Sequence, residues 1–132
     1  MLKMSKDDKY LQLAFDRQLV SVMNRTKWRE LVDILGSNPD FTPQIRLKYI
    51  DGKAPDRFSY LDSYLIKFGG FTRAIEWFEI NPILRERVGL LVAHKETDFS
   101  DWVREALTSY FIPFVEADCL FRINGYLQPS VV

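Results

Sequence analysis

The chain has 132 residues, 47% of them hydrophobic and 27% charged, a composition typical of one globular domain that spans residues 1–132. Its 18 Lys and Arg balance 18 Asp and Glu, and it has one histidine and one cysteine. These numbers argue against a zinc cage, a disulfide framework and a nucleic-acid-binding surface. Glycine-rich nucleotide motifs and Cys-x-x-Cys pairs are missing, so no metal and no cofactor are expected. With no secretion signal and no apolar run of roughly 18 residues, we expect a cytoplasmic protein that does not cross a membrane.

The N-terminal part of the chain predicts two helices. Apolar side chains recur at helical spacing over residues 5–23, and we expect a first amphipathic helix there. The pattern restarts after Thr26, a residue type that often caps helices, and it stops at Gly36. A second helix of about three turns is therefore expected, with a short apolar face that needs a sheet or the first helix to cover it.

Four stretches in the middle of the chain predict strands. Over residues 44–50, apolar and basic side chains alternate, which is typical of a half-buried strand. Residues 57–66 form a second, less regular extended stretch. Residues 74–80 are rich in β-forming side chains and stop before Pro82, so we expect a central strand there. Residues 88–93 are apolar on both faces, as in a strand that is buried on both sides.

The C-terminal part predicts a third helix and a closing hairpin. Asp98 or Ser100 can cap a helix whose apolar spacing continues until Pro113 ends it. Residues 114–126 then predict two strands around a turn at residues 118–119. The expected order is two helices, four strands, one helix and two strands. Such runs of strands favour an α+β fold with a largely antiparallel sheet of about five to six strands and helices on one face.

His94 and Cys119 are the residues that most often carry chemistry, and each has an ordinary explanation here. His94 precedes acidic residues that serve a helix N-terminus as well as they would serve a metal, and we favour the helix cap. Cys119 lies beside Asp118, whose carboxylate disfavours a reactive thiolate. We therefore expect a packed or turn cysteine.

A group of carboxylates is the remaining candidate for acid–base chemistry. It comprises Asp51, Asp56, Asp62, Glu76 and Glu79. Paired carboxylates can hydrolyse glycosides or hold magnesium, but Glu76 and Glu79 are three apart in a predicted strand and should face opposite sides. We therefore expect no catalytic residue, although either glutamate could still work with an acid from another strand.

Seven aromatic rings lie between residues 58 and 78, and most of them should belong to the core. Tyr60 and Tyr64 share a face if the strand is regular, and their neighbours Asp56 and Asp62 are acidic. Tyrosine beside carboxylates is the composition of a protein-binding hot spot. A solvated sheet face with exposed tyrosines explains it equally well, so both alternatives stay open.

Four short segments carry a resemblance to a known group of proteins. They are TKWREL (residues 26–31), RLKYI (46–50), IEWFEI (75–80) and the ending from IPF (112–114) to FRINGY (121–126). These segments are similar to small bacterial proteins that look like immunity proteins of contact-dependent or polymorphic toxin systems. The resemblance implies a cytoplasmic α+β domain without enzymatic activity, which binds one cognate toxin and blocks its active site or substrate path. It carries over no functional residue, because immunity proteins recognise their toxins through surfaces that differ between pairs.

We therefore expect an immunity protein with a cognate protein toxin as its partner. A nuclease toxin would fit an acidic and aromatic patch, although the neutral net charge argues against it. The residues expected to bind the partner are Asp51, Asp56, Tyr60, Asp62, Tyr64, Glu76 and Glu79. One alternative is a small ligand-binding or enzymatic domain that uses the same carboxylates in a cleft. Another is a subunit whose apolar surplus forms a homo-oligomer interface, although a monomer is favoured.

Overall fold

The computed structural model describes residues 6–61, 72–86, 89 and 95–128, and these form three α-helices and nine β-strands. The helices are α1 (Lys6–Asp16), α2 (Arg25–Leu35) and α3 (Ser100–Ser109). The strands are β1 (Val20–Ser21), β2 (Gln44–Tyr49), β3 (Ser59–Tyr60), β4 (Ile75–Asn81), β5 (Ile83–Glu86), β6 (Lys95–Asp98), β7 (Val115–Ala117), β8 (Leu120–Asn124) and β9 (Tyr126–Leu127). The fold is α+β, as the sequence predicts.

The main sheet has five strands in the order β3-β2-β4-β8-β7, and every neighbouring pair is antiparallel. The strand predicted over residues 74–80 is β4, and it lies at the centre of the sheet. β2 pairs with β4 along its whole length, and β8 pairs with β4 on the other side. Two further antiparallel pairs, β1 with β9 and β5 with β6, complete the described strands.

The hydrophobic core lies between one face of the main sheet and the helices α2 and α3. Apolar side chains on α2 recur at positions i, i+3, i+4 and i+7, so they share one face of the helix. The core includes Trp28, Leu31, Val32, Leu35, Val103 and Leu107 from the helices and Ile45, Phe78, Ile80, Phe121 and Ile123 from the sheet. Because side chains alternate along a strand, the neighbours of these sheet residues point to the opposite face. We call that opposite face the polar sheet face, since it carries Arg46, Glu79 and Arg122.

The first helix is shorter than expected. α1 ends at Asp16 rather than at residue 23, and Gln18 then adopts a left-handed backbone with φ of 57°. The Leu19 N–H donates to the Ala14 carbonyl oxygen at 2.8 Å, and the Gln18 N–H donates to the Phe15 carbonyl oxygen at 3.0 Å. These two bonds form a Schellman cap that ends the helix. Leu19 and Val22, which continue the helical spacing beyond the cap, flank β1 (Val20–Ser21), and β1 pairs with β9. Their helix-like spacing is therefore coincidental.

The helix starts also differ from the expectation. Asn24, and not Thr26, caps α2, because its side chain accepts a hydrogen bond from the backbone N–H three residues on. α3 begins after Phe99, which makes no side-chain cap. Asp98 instead accepts hydrogen bonds from the backbone N–H and the hydroxyl of Ser100. Asp98 thus fixes the entry into α3 from one residue before the cap position.

The strands after β4 correct the sequence prediction. Pro82 interrupts the extended chain without ending it, and β5 follows at once and pairs with β6. Neither β5 nor β6 was predicted. The predicted strand over 88–93 lies outside the described residues except for Gly89, and so do residues 62–66 of the second extended stretch. The described part of that stretch contributes only the short edge strand β3.

The predicted C-terminal hairpin is confirmed. β7 and β8 pair Ala117 with Leu120, so the turn between them has two residues, Asp118 and Cys119. Their φ angles are 54° and 62°, which are the left-handed values that a type I′ turn needs at both positions. Beyond β8 the chain passes Gly125 into β9, which was not predicted as a separate strand.

Candidate functional site

Three charged side chains lie across the middle of the polar sheet face. Arg46 on β2, Glu79 on β4 and Arg122 on β8 are cross-strand neighbours. Glu79 is only 5% exposed, and its two oxygens bind different arginines: Arg46 Nη2 lies 2.6 Å from Oε1, and Arg122 Nη2 lies 2.9 Å from Oε2. Each arginine adds a second hydrogen bond through Nε. One carboxylate is thus shared by two cations, which leaves the cluster with one net positive charge.

Aromatic rings fix the orientation of both guanidinium groups. The guanidinium carbon of Arg46 lies 4.6 Å from the ring centre of Phe58, and that of Arg122 lies 4.4 Å from the ring centre of Trp77. Such cation–π contacts hold a guanidinium plane against the ring face. The two arginines are therefore held both by a carboxylate at one edge and by a ring on one face.

A cavity of about 480 Å³ adjoins this cluster. Its lining includes Arg46, Glu79, Arg122 and Asn124, and β7 and the hairpin turn contribute further lining residues such as Val115. Arg122 is nearly half exposed, so it is open to solvent while it binds Glu79. The site thus combines a buried ion-paired carboxylate with accessible hydrogen-bond donors.

Glu76 is held by a second pair of cations. Lys48 Nζ lies 2.6 Å from its Oε2, and Arg17 Nη2 lies 2.6 Å from its Oε1. Burial raises the pKa of the Glu76 carboxyl, but the hydrogen bonds and charges of Lys48 and Arg17 outweigh burial and hold the pKa below its ordinary value of 4.5. Glu76 is therefore ionised at neutral pH and poorly suited to act as a general acid.

A β-bulge explains why both glutamates meet cations from the same side of β2. The register between β2 and β4 shifts between Lys48 and Tyr49, which leaves Glu76 as an extra residue on β4. Lys48 and Arg46 are two apart on β2 and share a face, and they bind Glu76 and Glu79 respectively. The expectation that the two glutamates face opposite sides is therefore wrong, because it assumed a regular strand.

The exposed members of the expected partner-binding set are spread along β2. Asp51 follows the end of β2, whereas Tyr60 pairs with Gln44 at its start. Five residue steps separate the two ends of β2, which is roughly 17 Å. Asp56 is exposed in the segment that leads back from one end to the other. These three side chains therefore do not converge on one point.

The other members of the set are either ion-paired or not described. Glu76 and Glu79 are engaged by cations on the sheet, as set out above. Asp62 and Tyr64 lie outside the described residues. The acidic and aromatic patch as a whole therefore stays a prediction.

An exposed aromatic surface at the end of α3 was missed by the sequence analysis. Phe111 is 84% exposed and has a left-handed backbone with φ of 55°. Its N–H donates to the Thr108 carbonyl oxygen at 3.1 Å, and the Ile112 N–H donates to the Leu107 carbonyl oxygen at 3.0 Å. This is a second Schellman cap, with a phenylalanine where glycine is most common.

The surroundings of Phe111 are apolar with one cation. Lys27 Nζ lies 6.0 Å from the centre of the Phe111 ring and donates to the Tyr110 carbonyl oxygen at 2.7 Å. Val22 and Pro113 lie along the same wide, shallow cavity of about 630 Å³. We call Phe111, Tyr110, Val22 and Pro113 the Phe111 surface.

Part of this arrangement left a signal in the sequence. The alternation over residues 44–50 places Arg46 on the polar side of a strand, but only the pairing register shows that Glu79 lies opposite. Arg122 has no signal of its own beyond its place in a predicted strand. Phe111 follows the end of the apolar helical pattern and precedes Pro113, and this break in the spacing could have marked it as an exposed ring.

The described residues show no group of three metal-ligating side chains, so none of them is assigned to a metal site. Among the helices of the described part of the chain, none has the length and apolar character needed to span a membrane. Cys119 is exposed and lies in the turn between β7 and β8. The sequence predicted a packed or a turn cysteine, and the turn is the one observed. His94 lies outside the described residues.

The chain matches the model of one protein family. Residues 10–130 match the model of DUF6678, a family of unknown function, and the chain belongs to that family. A search of curated proteins found no significant match. A search of solved structures also found none. The family itself assigns no activity, so the function has to be argued from the residues above.

Proposed function

We propose that this chain is an immunity protein, a non-enzymatic inhibitor that binds a cognate bacterial toxin domain and blocks its active site or substrate path. The observation that carries the proposal is Phe111, an 84% exposed phenylalanine at a backbone position that favours glycine. Phe111 has an unfavourable backbone conformation, and its apolar ring is exposed to water. Both features are explained if a binding partner buries the ring.

The energetics of Phe111 support a contact outside the chain. A left-handed backbone costs a residue with a Cβ about 1 kcal/mol. Leaving a phenylalanine ring in water forgoes roughly 2 kcal/mol of burial. Among the described residues, the contact with Lys27 at 6.0 Å is too long to offset both costs. Burial of the ring in a pocket of a partner would offset them.

The composition of the Phe111 surface supports a protein as that partner. Phe111 and Tyr110 are exposed aromatics at the end of one helix, and Val22 and Pro113 extend the apolar area along a shallow cavity. Aromatic anchors that sit among apolar neighbours, with a charged residue such as Lys27 at the side, are typical of binding hot spots.

The state of the two sheet glutamates supports binding over catalysis. Glu79 is enclosed by Arg46 and Arg122, and Glu76 is ion-paired with a pKa below its ordinary value. General acid catalysis in a carboxylate-lined cleft would need one acid that stays protonated near neutral pH, and such acids have raised pKa values. The alternative of an enzyme that uses these carboxylates therefore has less support than a binding protein.

A toxin as the particular partner rests on the sequence resemblance. That resemblance carries over no functional residue, so the place of contact rests on the exposed ring of Phe111 and its left-handed backbone. We therefore place the toxin contact at the Phe111 surface, with the exposed Asp51, Asp56 and Tyr60 as a separate acidic and aromatic region to test.

The function can be tested by capture and by protection. The tagged chain is used to capture proteins from its native cells, and each stoichiometric partner is then expressed alone and together with this chain. The expected result is a partner that arrests growth alone and is tolerated when this chain is present. Toxin and immunity genes of such systems usually lie together, so the cells used must be shown to express the reading frame that neighbours this gene. If they do and still yield no such partner, the proposal is overturned.

A pair of variants tests where the partner binds. Phe111→Gly removes the ring and relieves the backbone, so we expect stability to rise by about 1 kcal/mol while affinity for the partner falls about 100-fold. Phe15→Ala is the matched control, since Phe15 is 77% exposed on α1. Equal affinities of Phe111→Gly and the wild type would refute the placement at Phe111. In that case Asp56→Lys tests the acidic region by its effect on the association rate.

A further inference from the structure

We propose that the cavity beside Arg46, Glu79 and Arg122 is a binding site for a small oxyanion, a carboxylate or a phosphate. Its basis is the polar sheet face alone, so it does not depend on the toxin partner proposed above. Three features of the cavity support an anion: the charge of the cluster, the free hydrogen-bond donors and the lining.

The charge of the cluster favours an anion. Two guanidinium groups share the single carboxylate of Glu79, which is 5% exposed. One positive charge therefore has no counter-charge within the cluster. Because Arg46 is only about a quarter exposed, water screens this charge less than it would on an open surface. Asp118 is a second acid of the cavity lining, but among the described residues both arginines are ion-paired with Glu79 and not with Asp118. A bound anion would therefore complete the neutralisation that Glu79 begins.

The N–H groups of the two arginines that do not bind Glu79 are suited to an oxyanion. A guanidinium has five N–H groups, and Arg46 and Arg122 each use one on Nε and one on Nη2 to hold Glu79. Among the described residues, three N–H groups on each arginine have no hydrogen-bond acceptor. The rings of Phe58 and Trp77 keep the two planes from rotating freely. Fixed pairs of N–H groups match the oxygens of a carboxylate or a phosphate in two-point contacts.

The lining of the cavity supports a small ligand. Its volume of about 480 Å³ falls in the size range of small-molecule sites, roughly 300–1,000 Å³. Asn124 adds an amide beside the arginines, and Val115 and Leu120 add apolar walls from β7 and β8. Polar groups on one side and apolar walls on the other are the usual make-up of such sites.

Asp118 provides a sensitive probe of the proposal. Of the described residues that line the cavity, Asp118 and Glu79 are the acids. Asp118 is exposed on the hairpin turn, where water screens its charge. Its carboxylate opposes an incoming anion, so Asp118→Asn should strengthen anion binding. Asparagine is also well tolerated at the left-handed position that Asp118 occupies.

The test is thermal unfolding of the full chain in two separate series, one with rising inorganic phosphate and one with rising sodium acetate. Sodium chloride keeps the ionic strength constant. The compared proteins are the wild type, Arg122→Gln, Asp118→Asn and, as a control, Arg85→Gln, since Arg85 is an exposed arginine ion-paired to Glu96 on the β5–β6 pair.

A saturable rise of the unfolding midpoint is expected for the wild type in at least one series. Saturation by both anions indicates a general oxyanion site, and saturation by one identifies its chemistry. The apparent Kd should be at least about tenfold higher in Arg122→Gln, because this variant loses charged hydrogen bonds to the anion. The apparent Kd should be unchanged in Arg85→Gln and about twofold lower in Asp118→Asn.

Two results would overturn the site. A midpoint that rises linearly in both series without saturation is a general salt effect on the protein surface. An Arg122→Gln titration that matches the wild type removes the arginine from the site. If Arg122→Gln does not fold, Asp118→Asn decides, because an affinity that stays unchanged or weakens refutes anion binding in this cavity.

Discussion

Replacing Gly125 with alanine should destabilise the protein strongly, because this glycine is where three parts of the fold meet. A Cβ at position 125 would lie 2.1 Å from the Ile75 carbonyl oxygen and 3.1 Å from Cζ2 of Trp28. The Gly125 N–H donates to the Glu76 carbonyl oxygen at 2.8 Å, and its own carbonyl oxygen accepts from the Val22 N–H at 2.9 Å. The close approach thus joins the residue between β8 and β9 to the bulge of β4 and to the segment after β1.

The cost of Gly125→Ala follows from that geometry. Contacts of a Cβ under 3.0 Å are essentially never seen, so either the Ile75 carbonyl or residue 125 must move by close to 1 Å. Both are backbone groups, and Trp28 is buried at 1% exposure, so no flexible side chain can give way. Overpacking of this kind costs about 1–3 kcal/mol. Weakening the two backbone hydrogen bonds adds roughly 1 kcal/mol, for a total of about 3 kcal/mol.

Urea unfolding followed by tryptophan fluorescence measures this loss, since Trp28 lies at the site. Gly52→Ala is the control, because its Cβ would meet its nearest atom at an ordinary 3.8 Å and should change stability by less than about 0.5 kcal/mol. A Gly125→Ala protein within about 0.5 kcal/mol of Gly52→Ala would refute the reasoning. The close packing of β9 against β4 would then not hold the bulge that presents Glu76.

Two further predictions concern the turn and the ion pairs. Cys119→Gly should raise the free energy of unfolding by about 1 kcal/mol in urea, since glycine adopts a φ of 62° without strain, and no gain would argue against the left-handed turn. Glu76→Gln should lose stability relative to the wild type mainly above the ordinary carboxyl pKa of 4.5. Because the folded pKa is lower, the contribution of the carboxylate is complete above that value and is lost as the pH falls through the folded pKa. Unfolding at several pH values should show the difference shrinking from neutral pH to about pH 3, whereas a difference that stays constant would contradict it.

Hydrophobic spacing predicted those parts of the fold in which one face meets the core. The four apolar residues of α2 and the alternation in β2 each reflect a single buried face, so their positions were readable from the chain. α1 was predicted too long because Leu19 and Val22 continue the spacing after the Schellman cap at Gln18. A cap without glycine or proline leaves no local mark in the sequence.

The candidate sites were harder to predict because they depend on pairing between distant strands. Arg46 and Glu79 are 33 positions apart, and Glu79 and Arg122 are 43 apart. Their contact follows from the β2-β4-β8 register, which neither composition nor periodicity contains. The bulge at Glu76 has the same origin, since it is a property of the β2 and β4 pairing and not of β4 alone.

Most of the described non-glycine residues with a left-handed backbone lie at or beside the two proposed surfaces and not in the hydrophobic core. Four non-glycine residues in the described part of the chain have a left-handed backbone: Gln18, Phe111, Asp118 and Cys119. Phe111 forms the proposed toxin contact, and Asp118 lines the proposed anion site with Cys119 beside it. A sequence under selection for stability alone would favour glycine or asparagine at such positions. Residues that persist against that preference are more common where a side chain is needed for function. Phe111 is therefore the side chain whose replacement should raise stability and lower partner binding. Asp118 differs, because aspartate is tolerated at a left-handed position and its carboxylate opposes an incoming anion.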